Sequence, residues 1–358
     1  MKLPSLQIDN LVAKVPIIQG AMGVGVSLSK LASAVANEGG IGVISGVQIG
    51  FNEPDFETNN KEANLRALRK EINKARHLSP GGILGVNFLV AMNNYKEMVK
   101  AAIEEKIDLI VSGAGLPKEL PEFIKGTKTK IAPIVSSGKA AYLISKLWDK
   151  RYNYAPDMVI VEGPDAGGHL GFSVEELQNE KKPVLSNIVK DVLEAIKPYR
   201  EKYNKLIPVI AAGGIFSGED IAKYISIGAS GVQMATRFVV TEECDADINF
   251  KTAYLNASED DIQLVKSPVG MPGRAIRNSF IKSLEEGIKP VKKCYSCLHP
   301  CNPATTPYCI SKALIEAVRG NISEGLIFTG INSYKLNKMT TVKELIKQLI
   351  SEAEASMT

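Results

Sequence analysis

No stretch of the 358 residues approaches the run of roughly 18–20 apolar side chains needed to span a bilayer. The first ten residues also lack the apolar centre of a secretory leader. Charge of one sign is scarce: 43 Lys and Arg against 39 Asp and Glu leave +4, small for this length. Nucleic acid and membrane surfaces are therefore not expected partners. Cysteine is sparse and odd in number, at five, which does not suit a disulfide framework. It suits a reducing compartment, so a cytoplasmic location is expected. Absent too is a Gly-x-Gly-x-x-Gly turn after the first strand; Gly20-Ala-Met-Gly-Val-Gly25 has the wrong spacing for dinucleotide binding. Gly213-Gly214 is not followed by the lysine of a P-loop.

What is present is a regular alternation. Apolar runs with β-branched residues occur at 15–19, 41–45, 83–90, 108–112, 131–136, 157–162, 207–212 and 231–235. Helical segments are predicted between them at 28–37, 61–77, 94–105, from 117, and at 139–148, 186–203 and 219–227. Eight β-then-α units in under 250 residues match an α/β fold of the (β/α)8 TIM-barrel type. A doubly wound open sheet is the alternative. Small residues close nearly every run at its C-terminal end: Gly20, Ser45-Gly46, Ser112-Gly113, Ser136-Ser137-Gly138, Gly163 and Gly213-Gly214. A barrel builds its site from all eight strand ends, whereas an open sheet needs such residues mainly at one switch point. The ring favours the barrel, over residues 1–240. Residues 241–358 read as a C-terminal, mostly helical and irregular appendage, packed over the barrel mouth or closing its bottom. Helices are expected there near 244–261, 311–318 and 342–355.

The sixth run leads into Gly163, Pro164, Gly167, Gly168 and Gly171, with His169, one of three histidines, in their midst. Glycines let backbone approach a ligand closely, and histidine exchanges protons near neutrality. The competing account, a Gly-rich loop with an incidental histidine, explains neither the strand end nor the isolation of this residue. Loops after the seventh and eighth strands commonly hold phosphate in such barrels, here Gly213, Gly214 and Gly231-Val-Gln-Met-Ala-Thr236. Tight turns serving closure alone are the bland alternative. Asn87 is an amide inside an apolar strand and needs partners. Lys139 could place a cation at the mouth. Amide, backbone and cation contacts of this kind suit a planar, phosphate-bearing cofactor.

These motifs converge on a resemblance. Pro16-Ile-Ile-Gln-Gly-Ala-Met-Gly23, Glu162-Gly-Pro-Asp-Ala-Gly-Gly-His-Leu-Gly171, Ala211-Ala-Gly-Gly-Ile215, Gly231-Val-Gln-Met-Ala-Thr-Arg-Phe238 and Pro272-Gly-Arg-Ala-Ile-Arg-Asn278 resemble the nitronate monooxygenase family. The resemblance implies an FMN-dependent barrel that oxidises alkyl nitronates, such as propionate 3-nitronate, with O2 to a carbonyl compound and nitrite. It implies that His169 is catalytic, as general base toward a neutral nitroalkane or, protonated, as holder of a nitronate. It also implies FMN contacts at Met22, Asn87, Gly168, Gly213, Gly214, Gln233, Met234, Ala235 and Thr236. A similar loop occurs in flavin-type enoyl-ACP reductases, so an NAD(P)H-dependent reductase of enoyl-ACP or quinones is the alternative. The partners expected are a small-molecule substrate and O2, or NAD(P)H in the alternative, and a homodimer is the default for a soluble enzyme.

Two features stand apart. Arg274, in a Gly/Pro-bounded segment, is expected near the barrel mouth, tying the appendage down or binding an anion. Cys294, Cys297, Cys301 and Cys309, with His299 among them and prolines at 300, 303 and 307, are not a general family feature. They could hold a structural zinc ion or an iron–sulfur cluster, pack as small apolar residues, or form a redox pair.

Overall fold

Eight parallel strands close into a barrel in chain order: β1 (Ile17–Gln19), β2 (Ile41–Ser45), β3 (Ile83–Leu89), β4 (Leu109–Gly113), β5 (Lys130–Val135), β6 (Val159–Glu162), β7 (Val209–Ala212) and β8 (Gly231–Met234). Closure is made where Val232 pairs with Ile17 and Met234 with Gln19. The computed structural model describes residues 1–179, 181–299 and 301–357. Each strand falls within, or within one residue of, the run that predicts it, because strands buried on both faces must be apolar throughout.

The barrel is a filled core with a plugged floor. Ile18, Ile41, Val43, Leu109, Val111, Ala132, Ile160 and Ile210 meet inside it, and Leu6, Ile8 and Ala13 join them from an N-terminal hairpin. That hairpin, Leu6–Ile8 against Leu11–Ala13, seals the bottom. The appendage therefore does not close the floor.

Outside the strands lie α1 (Ser29–Asn37), α2 (Asn60–Leu78), α3 (Tyr95–Glu104), α4 (Leu120–Phe123), α5 (Gly138–Tyr152), α6 (Leu185–Tyr203) and α7 (Gly218–Ser226). Helix α6 shows why they dock. Leu185, Ile188, Val189, Val192, Ile196 and Tyr199 recur every three or four residues and are the ones buried. Its end is set by Asn204, which takes the left-handed conformation that asparagine tolerates.

The eighth outer position is filled from the far end of the chain. Helix α8 (Val342–Ser356) packs on α7 and α1, burying Val342, Leu345, Ile346, Leu349 and Ala353. Glu352 accepts a hydrogen bond from the backbone of Gly218, 2.8 Å away, at the start of α7. Between β8 and α8 the chain crosses the barrel mouth. It forms helices Ile248–Asn256, Ser279–Glu285 and Ile310–Val318 and an antiparallel hairpin, Ile262–Lys266 with Pro272–Ile276. The appendage holds the expected helices and, in addition, that hairpin, which the sequence reading did not place. Its turn, Ser267-Pro-Val-Gly-Met271, has loop composition that hid the two strands on either side.

Candidate active site

The hairpin builds the site. Its second strand pairs with residues 168–169, Gly273 opposite His169 and Arg274 opposite Gly168, so the glycine-rich loop after β6 becomes the edge of a three-stranded sheet. The backbone of Leu170 also donates to Pro272 O, at 2.9 Å. Arg274 is buried, and its Nη1 donates to Pro164 O at 2.9 Å and to Ala166 O. Arg274 thus lies at the barrel mouth, holding the loop through its carbonyls.

His169 is gripped from two sides. Its Nε2 lies 2.7 Å from Ser267 Oγ, and its ring meets Phe328 edge-on, with centroids 5.0 Å apart. Among the described residues Nδ1 has no hydrogen-bond partner. Burial lowers the pKa of His169 from 6.5 to about 4. Burial thus favours the neutral imidazole at pH 7, where the sequence alone suggested titration near neutrality. A neutral imidazole can accept a proton; it is not the cation that would hold an anion.

Two cavities meet at this histidine. The larger, about 380 Å³, is lined by Asn87, Glu162, His169, Gly213, Gly214, Gln233, Met234, Ala235 and Thr236. The smaller, about 210 Å³, lies toward the appendage and takes in Met22 and Gly168. All but one of the residues expected at the site from the sequence thus line one or both cavities. The exception is Lys139. It is the second residue of α5, after Gly138, whose missing Cβ allows contact with the backbone of Asp191 on α6. With Gly138 turned inward, Lys139 is exposed, and among the described residues no Lys or Arg lines either cavity. The expectation of a cation at the mouth is corrected.

The larger cavity has the donors of a phosphate cradle instead. Among the described residues the backbone N–H groups of Gly213, Gly214 and Ala235 donate to no protein acceptor. Gly213 and Gly214 have φ of 97° and 79°, and a Cβ on Gly214 would come within 2.8 Å of Asp165 Cβ. Only glycine bends the chain here and leaves its amides open to a ligand. Asn332 fixes the turn by donating to Gly214 O at 2.6 Å. Deeper in, the Gln233 amide is unpaired among the described residues, while Asn87 Nδ2 donates to Val111 O at 3.3 Å and its oxygen has no partner among the described residues. Bare amides at one end and side-chain amides at the other fit a phosphate-bearing, planar heteroaromatic group such as FMN.

Glu162, at the end of β6, is a functional candidate that the sequence reading passed over. Its carboxyl lines the larger cavity, has no partner among the described residues, and is raised from 4.5 to about 7 by burial. Ser267 and Phe328 were passed over as well. Nothing local marks them, since both reach His169 only through the fold. Glu162 alone carried a sequence signal, as a carboxylate ending a buried strand.

The cysteine segment packs over the turn after β3: His299 N donates to Ala91 O at 2.9 Å, and Asn93 N to Cys297 O at 3.3 Å. Cys294, Cys297, Cys301 and Cys309 are all free thiols, Cys294 exposed and the others half-buried. Burial pushes the Cys297, Cys301 and Cys309 thiols up, away from thiolate. Among the described residues no group of three or more His, Cys, Asp and Glu side chains is placed to hold a metal ion. The described geometry gives no support to the zinc or iron–sulfur expectation; Pro300, part of the same expectation, lies outside the described residues.

A barrel with a phosphate cradle beside a loop-borne histidine narrows the field, and comparison with known proteins decides the family. The chain belongs to the nitronate monooxygenase family. The family model matches residues 5–352. A "Probable nitronate monooxygenase" of Staphylococcus haemolyticus (strain JCSC1435) is 26% identical, over 76% of this chain and 77% of its own length. The (3aS,4S,5R,7aS)-5-hydroxy-7a-methyl-1-oxo-octahydro-1H-indene-4-carboxyl-CoA dehydrogenase of Rhodococcus jostii (strain RHA1) is 26% identical over 75% of this chain, and the match spans only 65% of that relative's length. Among solved structures, FabK from Thermotoga maritima is 26% identical, with a TM-score of 0.73 over 96% of this chain and 94% of its own. Nitroalkane oxidase from Streptomyces ansochromogenes shares the fold, with a TM-score of 0.74 at 21% identity over 96% of both chains. No helix among the described residues is long and apolar enough to cross a membrane.

Proposed function

We propose that the protein is an FMN-dependent oxidase of alkyl nitro compounds and their nitronates, with O2 as the electron acceptor and a carbonyl compound and nitrite as products. The observation that carries this reading is the neutral His169, fixed at Nε2 with Nδ1 unpaired, at the junction of the two cavities. A nitroalkane has an acidic α C–H, and its oxidation starts with loss of that proton.

Each part of the site has a task in that chemistry. The amides of Gly213, Gly214 and Ala235, with Thr236, would hold the FMN phosphate, and Gln233 and Asn87 would face its ring system. FMN, when bound, supplies the acceptor for substrate electrons and their transfer to O2. His169 takes the α-proton at Nδ1, and Ser267 keeps the ring from turning away. A positioned base of this kind is worth about 10²–10⁴ in rate. Phe328, against the imidazole edge, and Arg274, holding the loop carbonyls, exclude water and fix the loop.

The test begins with heat release and chromatography of the bound flavin, where FMN is expected and FAD would count against the cradle. Anaerobic mixing with 1-nitropropane, its nitronate, NADH or NADPH then identifies the electron donor. Bleaching of the flavin by the nitro compounds supports the proposal. Bleaching by NADH or NADPH alone would replace it with the reductase reading.

A further inference from the structure

We propose that the smaller cavity is the subsite for the substrate's tail, and that it selects an uncharged alkyl chain over one ending in a carboxylate. This rests on the reading that the substrate's reacting carbon meets His169, and it adds which substrates reach that carbon.

The smaller cavity shares His169, Asn87 and Thr236 with the larger one and runs from them under the appendage. Its far walls are Val47, Leu314, Leu326 and Phe328, with Val24 and Tyr254 beside them. Among the described residues no Asp, Glu, Lys or Arg lines it. The phenol of Tyr254 is not free to recognise a substrate, because it donates to Phe328 O. Burial and that environment also hold the phenol well above its usual range, so it stays neutral. A tail entering here meets mostly carbon, with Ser45, Asn87, Thr236 and Thr329 as uncharged polar groups on the wall.

Charge strengthens the selection. Among the described residues the carboxyls that line the junction are Glu162 and Asp165, on the wall of the larger cavity, and neither cavity offers a Lys or Arg. Arg274, buried on the hairpin strand opposite Gly168, lines neither cavity, and its Nη1 is bonded to Pro164 O and Ala166 O. A carboxylate carried into the smaller cavity would lose its water and gain no counter-ion. Methylene groups there lose water favourably, and the gain continues until the cavity is full. Propionate 3-nitronate is therefore a poor substrate for this protein, and straight-chain nitroalkanes of the same or greater length are good ones.

Two series test this on the FMN-loaded protein. In the first, kcat/KM is measured for the preformed nitronates of linear primary nitroalkanes of two to eight carbons and for propionate 3-nitronate. The expected result is a rise of about fourfold per methylene up to a cut-off, with the carboxylate at least about a hundredfold below the uncharged chain of equal length. In the second, unreactive n-alkyl nitriles and ω-carboxylates of matched length are titrated calorimetrically, where the same ranking is expected in Kd. Equal binding of the two sets, or no dependence on chain length, would overturn the proposal and send the tail out through the mouth beside Met271. If no nitro compound is turned over but the nitriles still rank by length, the oxidase reading fails and the tail subsite stands. Leu314→Phe, which narrows the far end, should move the cut-off to shorter chains in both series; an unmoved cut-off in a folded variant would also overturn the assignment.

Discussion

His169 Nε2 and Ser267 Oγ are 2.7 Å apart, although 98 residues separate them in the chain. Ser267 is buried at the first turn of the hairpin, and its Oγ also accepts from Val269 N at 3.4 Å. The serine hydroxyl therefore sets both the tilt of the imidazole and which nitrogen is left for the substrate. Ser267→Ala is expected to lower kcat toward nitroalkanes about tenfold, since a loosened base spends less time in line, with flavin content unchanged. Ser267→Thr, which keeps a hydroxyl, should recover most of the loss. Steady-state kinetics on flavin-matched samples decide it; an unaffected kcat in Ser267→Ala removes the positioning role.

Removing the base itself should split two kinds of substrate. His169→Asn is expected to lose about 10²–10⁴ in kcat/KM for neutral nitroalkanes and less than tenfold for preformed nitronates, which need no deprotonation. Equal losses would mean that His169 positions the substrate. In the unmodified protein the acid limb of kcat/KM for nitroalkanes should fall near pH 4, the value to which burial lowers this histidine. The same shift bears on stability. A depressed histidine favours the fold above pH 6.5, and that contribution is lost as the pH falls toward 4.

Glu162 has the opposite sign. Its carboxyl is raised from 4.5 to about 7, so the folded chain holds this proton more tightly than the unfolded one. The stability gained is complete below pH 4.5 and disappears as the pH rises through about 7. Glu162→Gln is always neutral and is expected to flatten the dependence of Tm on pH between 5 and 8. Thermal melts of both proteins across that range would show parallel curves if Glu162 is not the group responsible.

Arg274→Ala should free the loop that carries His169. Loss of a buried guanidinium bonded to Pro164 O and Ala166 O is expected to cost about 2–3 kcal/mol. Chemical denaturation measures this, and rapid amide exchange at residues 166–170 would locate it. A change below about 0.5 kcal/mol would show that the small sheet holds the loop unaided.

Gly214→Ala tests the phosphate cradle. The backbone φ of 79° disfavours alanine, and the new Cβ would press on Asp165 Cβ at 2.8 Å. The fold should lose about 1–3 kcal/mol, and flavin affinity should fall by at least tenfold, measured by fluorescence recovery on dilution. Unchanged affinity would place the phosphate elsewhere.

The barrel was legible because its signals are local. Ile41–Ser45 or Val209–Ala212 is buried whatever the rest of the chain does, and residues buried on both sides are apolar in series. Gly213 and Gly214 were legible for a related reason, since left-handed backbone restricts the residue type wherever it occurs. The partners of His169 were not. Ser267 sits in a Pro/Gly turn and Phe328 in an irregular stretch, and each gains its role only when the hairpin lies against Gly168–His169. Lys139 shows the reverse error: near the site in sequence, it is turned outward by the helix that begins at Gly138. The four cysteines fall between these cases, clustered in the chain without converging on a metal position among the described residues.

Helix α8 supplies the eighth stave of the outer ring, between α7 and α1. On the ribosome, the last barrel strand ends at Met234, more than a hundred residues before Val342 is reached. At ordinary rates of synthesis that gap lasts on the order of ten seconds. Throughout it the flanks of α1 and α7 stay bare, and the hairpin that braces His169 forms before the ring is complete. The outer ring of the barrel is thus completed only after Val342–Ser356 has been made.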